Sequence, residues 1–155
     1  MAVGLFVFIA WVVISVYFFV PIQLSTLDNL ILFFVFTIIS MNIFTIIDLN
    51  LNLIQHSNKK EMFVSFWIHR NIVIPLILTI FVNFTDSFKS KVYKLIVSVS
   101  VFSILLLINL LAFRVGLMTC GSNLYLGSAI LIMVAMLLAF ITMKLVTKLP
   151  EGESM

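Results

Sequence analysis

Four residues in this chain have side chains that could do chemistry where their neighbours cannot: Asp48, His69, Arg70 and Asn71. Each stands inside or at the edge of a long apolar stretch. An imidazole titrates near neutral pH. Beside a carboxylate and a guanidinium it could relay a proton, or hold an ion or a polar ligand. The same four groups could also only neutralise one another. An acid and a base buried together satisfy each other, and removing one leaves an uncompensated charge. A third arrangement sends Arg70 to the membrane surface on its long stem and leaves Asp48 wet at a helix end. Pro75 follows one turn after Asn71. It has no N–H for the Asn71 carbonyl, and its ring crowds that carbonyl, so a kink is expected beside the cluster.

The cluster is positioned by a hairpin. Apolar residues (63% of the 155) fall into five blocks, at about 2–20, 30–54, 62–84, 95–113 and 124–143. A membrane-spanning helix needs about 20 apolar residues, and no block alternates as a barrel strand would. The expected fold is therefore an all-α integral membrane protein, a single domain over 1–155 built as a bundle of five transmembrane helices. Ser25-Thr26-Leu27-Asp28 offers an N-cap ahead of the second block. With the turn between blocks two and three centred near Asn58, Asp48 lies level with His69 and Arg70, roughly 10 Å inside the helix ends. Asp48 is thus expected within reach of His69 or Arg70.

Charged residues are only 10% of the chain, where soluble domains have about a quarter. No soluble unit fits beside the spans. The first block has no basic n-region and no small-residue cleavage site, and reads as a retained span rather than a cleaved signal. The net charge of +3, from nine Lys and Arg against six Asp and Glu, comes from cations that mostly flank the blocks. These are expected to set orientation and to touch anionic headgroups, not to bind nucleic acid.

With five spans, Lys89, Lys91, Lys94, Lys144 and Lys148 share one side and Lys59, Lys60 and Arg114 the other. If the third block dips in and returns, only Arg114 is left opposite the rest, which is a better charge bias. That alternative gives four spans plus a re-entrant third segment. The apolar length of block three favours crossing, since about a dozen residues at roughly −0.5 kcal/mol each outweigh one Arg at about +3. Both arrangements put the C-terminus in the cytoplasm, in a multi-pass protein of the cell membrane.

Other signals are weaker. Asn42 and Asn109 are isolated amides expected to hydrogen-bond a neighbouring helix. Ala135 and Ala139, four apart, could form a close helix contact. The abundant Phe reads as lipid-facing filler. Asn83-Phe84-Thr85 matches the glycosylation pattern but abuts the membrane on the expected inner side. Cys120, the single cysteine, can form neither an internal disulfide nor a metal site alone. No metal-protease, nucleophile-elbow or nucleotide-binding pattern occurs, so no enzyme activity and no cofactor or metal is expected.

The composition is similar to that of small hydrophobic bacterial proteins that act as immunity factors or accessory subunits, though no motif carries the likeness. The expected function is an accessory, scaffold or immunity-type subunit that binds membrane lipids and another membrane protein, or associates with itself. The alternative is a small oligomeric transporter or channel built around the Asp-His-Arg cluster.

Overall fold

The computed structural model describes residues 1–20, 23–46, 54–56, 59–87, 90–120 and 124–146. Its body is helical: α1 Ala2–Phe19, α2 Thr26–Thr45, α3 Lys60–Ile68, α4 Ile74–Ser87, α5 Lys91–Arg114 and α6 Leu124–Val146. A π-helical turn, His69–Val73, joins α3 to α4, so residues 60–87 form one helix of 28 residues. At about 1.5 Å per residue this helix is about 42 Å long. It does not double back, as a re-entrant segment would. Five helices are therefore long and apolar enough to cross a membrane.

Local chemistry sets the ends. Ser25 accepts from the Asp28 N–H at 3.1 Å and its hydroxyl donates to Asp28 Oδ2 at 2.7 Å, so α2 starts on the cap expected for it. The end of α5 is a Schellman motif. The Gly116 N–H bonds the Phe113 carbonyl and the Leu117 N–H bonds the Ala112 carbonyl, with Gly116 at φ +81°.

One boundary differs from expectation. The second block is expected to be helical through Ile54; α2 is α-helical to Thr45 and turns π-helical at Ile46, residues 47–53 lie outside the described residues, and Ile54–His56 is a strand, β1. It pairs antiparallel with β2, Met118–Cys120, matching Ile54 to Cys120 and His56 to Met118. This small ribbon ties the α2–α3 connection to the α5–α6 connection at one end of the bundle. Each strand is three residues long, too short for an alternating pattern to show in sequence.

The 60–87 helix is the axis of the molecule. In its most apolar stretch 61% of residues are buried, against 22% in α1 and α5, 28% in α2 and 33% in the described part of α6. It packs against every other long helix. The core holds Phe6, Phe36, Phe44, Phe66 and Phe81, so a good part of the Phe content is packing rather than outward filler. Ala135 and Ala139 are both buried, on the face of α6 that meets the bundle.

Candidate functional site

His69 is completely buried at the junction of four helices. Its Nε2–H donates to Asn109 Oδ1 of α5 at 2.8 Å. The Phe6 ring of α1 meets the imidazole edge to face, centroids 5.4 Å apart, and Phe44 of α2 does so at 6.4 Å. Nδ1 has no hydrogen-bond partner among the described residues.

The backbone here is widened by Pro75. The Ile74 N–H reaches back five residues to the His69 carbonyl, where an α-helix would reach four. One extra residue in the turn moves the helix around the missing donor and the crowding ring, and such π turns recur at functional sites. The kink expected from Pro75 thus takes the form of a π turn that carries His69, Arg70 and Asn71.

Arg70 is half-buried. Its guanidinium lies over the Phe66 ring, 5.2 Å from the centroid, one helical turn back. Its Nε donates to Asn71 Oδ1 at 3.3 Å, and Asn71 is buried. Asp48 lies outside the described residues, and so does its expected contact with His69 or Arg70.

The level of the hairpin is shifted from the expected one. Two contacts across it, Phe44 with Phe66 and Asn29 with Asn83, are centred near Gln55 and His56 rather than Asn58. The side chain that α2 sets against His69 is Phe44, and the hydrogen bond to the imidazole comes from α5. Asn109 does bond a neighbouring helix, as an isolated amide in a span should. Asn42 instead donates to the Ile38 carbonyl of its own helix, at 2.8 Å.

A second buried polar contact was not anticipated. Asn83 Nδ2 donates to Asn29 Oδ1, linking α4 to α2, and also to the Thr79 carbonyl at 3.0 Å. Asn29 donates in turn to the Leu24 and Ser25 carbonyls, each at 3.1 Å. Both amides are buried, so Asn83 is not accessible to a glycosylating enzyme. A signal for this pair was available. Both residues stand near the same end of facing helices, and a polar residue in an apolar helix is expected to turn toward protein.

Two concavities among the described residues are apolar. One, of about 600 Å³, runs between α1, α4 and α5 and includes Val12, Ile80, Val97 and Ile104. The other, of about 350 Å³, lies between α4, α5 and α6 and is rich in Phe and Met. Neither includes His69, Arg70 or Asn71. Among the described residues no group of three His, Cys, Asp or Glu side chains could hold a metal ion. Compared with protein-family models, with curated proteins and with solved structures, the chain matches none.

Proposed function

We propose that this chain is a multi-pass protein of the cell membrane that performs no chemistry. It works as an accessory, scaffold or immunity-type subunit by binding another membrane protein or lipid through its lateral faces. The observation that carries this reading is a division of labour among side chains. Buried polar groups such as His69, Asn109, Asn29 and Asn83 are engaged in bonds between helices. Two concavities among the described residues are apolar and lie on the sides of the bundle, where lipid tails or a partner helix would be met. A substrate path would instead bring a polar cavity to the ionisable residues.

The transporter or channel alternative has one specific observation in its favour. His69 Nδ1 is buried without a hydrogen-bond partner among the described residues, in a π turn. A pull-down in mild detergent, followed by identification of the captured chain, separates the two. An accessory subunit co-purifies with a different membrane protein and keeps it when His69 and Asn109 are both replaced by Leu. A transporter self-associates and loses flux in proteoliposomes in that variant.

For orientation, we propose that the end bearing Lys91, Lys94 and Lys144 is cytoplasmic, because cytoplasmic loops carry the excess of Lys and Arg. Reporters fused after Lys59 and after Lys89 are expected on opposite sides, and a reporter at the C-terminus is expected inside. A C-terminal reporter active only outside would overturn the orientation.

A further inference from the structure

Among the described amides of the long helices, one faces outward. Asn29, Asn71, Asn83 and Asn109 are buried, whereas Asn42 is exposed on α2. The contacts of Phe44 with Phe66 and of Asn29 with Asn83 set Asn42 level with His69. The 60–87 helix has exposed Lys60 and Glu61 at one end and exposed Asp86 at the other, so its middle marks the middle of the proposed bilayer. His69, and Asn42 with it, stands about 7 Å from that middle at the α-helical rise. Hydrocarbon extends about 15 Å to either side. The short side chain of Asn42 therefore meets hydrocarbon and not headgroups.

An amide is not satisfied there. Outward hydroxyls on these helices close on their own backbone. Thr45 gives its single hydrogen to the Met41 carbonyl at 2.7 Å, and Ser103 gives its own to the Val99 carbonyl at 2.9 Å. Asn42 gives one N–H to the Ile38 carbonyl in the same way, at 2.8 Å. Its second N–H and its Oδ1 are left over, and neither has a partner among the described residues. Lipid tails offer no donor and no acceptor, and polar side chains in spans turn toward protein. Beside Asn42, the exposed residues Phe34, Ile38, Met41 and Thr45 follow one another at four, three and four residues. That is the seam spacing of two helices packed side by side.

We propose that this face joins two copies of the chain, α2 against α2 about a two-fold axis along the membrane normal, with Asn42 of each copy donating to Oδ1 of Asn42 in the other. The proposal rests on the membrane reading above and names the partner. The amide makes the selection. It excludes lipid as the cover, and it is complementary to itself, donor to acceptor and acceptor to donor. Identical copies insert in the same direction and to the same depth, so each amide finds the other level with it across the axis. A helix of another protein would have to bring a polar group of its own to that depth. The contact lies on the outside of the bundle and encloses no path to His69, so it fits an accessory subunit, and flux remains what identifies a transporter.

The test is fluorescence energy transfer between C-terminally labelled copies of the full chain in phosphatidylcholine vesicles, over a dilution series in lipid. A dimer that dissociates on dilution is expected. Asn42→Leu should raise its dissociation constant about eightfold, the factor given by two hydrogen bonds of about 0.6 kcal/mol each. Asn42→Gln keeps the amide and should retain the dimer. Ser103→Leu, on the outer face of α5, should leave it unchanged. Oxidative cross-linking locates the contact without altering Asn42. In a Cys120→Ser background, Ile38→Cys should link two copies, and Val12→Cys, exposed on α1, should not. A chain that is monomeric throughout the series, a dimer indifferent to Asn42→Leu, or linkage through Val12→Cys and not Ile38→Cys overturns the proposal. So does a different membrane protein that the unaltered chain captures and the Asn42→Leu chain loses, with the pure chain monomeric. Alkaline carbonate treatment of the same vesicles separates the two levels. A chain released by carbonate defeats the membrane reading, whereas a chain that stays embedded as a monomer defeats only the dimer.

Discussion

The central helix, residues 60–87, and the outer helices α1 and α5 all draw on Ile, Val, Leu and Phe, yet do opposite work. In the central helix Ser65, His69, Asn71, Thr79, Asn83 and Thr85 are all buried, together with most of its aliphatic residues. In α1 the large side chains Phe8, Trp11, Phe18 and Phe19 are exposed. In water such a surface would be untenable. In the bilayer proposed here it is ordinary, because lipid is as apolar as Leu. The difference teaches that hydrophobicity does not sort inside from outside in this chain. Polarity does.

The largest expected effect follows from that contrast. Leu78 is fully buried in α4, and Leu137 of α6 is 62% exposed. Truncation at either position loses little transfer energy if both surroundings are apolar, so the cavity left behind dominates. Leu78→Ala is expected to destabilise by about 2 kcal/mol in detergent unfolding titrations, and Leu137→Ala by less than about 0.5 kcal/mol. Equal losses would break the distinction between axis and shell.

A smaller effect is expected where α5 ends. Gly116 adopts a left-handed backbone, and open space surrounds the position a Cβ would take. Gly116→Ala therefore reports backbone strain without a clash, and about 1 kcal/mol of stability should be lost in the same titration. No loss would mean that the turn into the ribbon has other ways to form.

Smaller still is the bond between α4 and α2. Hydrogen bonds between membrane helices average about 0.6 kcal/mol. A double-mutant cycle of Asn29→Leu and Asn83→Leu is expected to give a coupling of that order. A coupling indistinguishable from zero would show that the two amides share a level without holding the helices together.

Much of the fold is legible in the chain because its signals are long. Five apolar stretches of about 20 residues leave few alternatives, and Ser25 with Asp28 and Pro75 each mark a local event that occurs. Which face of each helix turns inward is not legible from apolar periodicity, since both sides are apolar. The polar residues carry that information, because a polar side chain in an apolar span turns toward protein. Asn109 was seen as an amide that would bond another helix. Its partner His69 is not legible, because no local signal relates the level of α5 to that of the central helix. The contacts of Phe44 with Phe66 and of Asn29 with Asn83 put the level of the hairpin two to three residues earlier than Asn58, and Phe44 is the α2 side chain that meets the imidazole. The ribbon of Ile54–His56 and Met118–Cys120 joins segments far apart in the chain, and three residues on each side give no periodic signal.

The central claim is that the buried polar residues hold the helices together and are not a path for a substrate. It is tested most directly at His69 and Asn109, by a double-mutant cycle of His69→Leu and Asn109→Leu on the protein unfolded from mild detergent. The account predicts that each single change loses stability, because it leaves a buried polar group without its partner. It also predicts that the double change loses less than the sum, by about 0.6 to 1.7 kcal/mol. Strict additivity of the two changes, or single variants as stable as the unaltered chain, would contradict it.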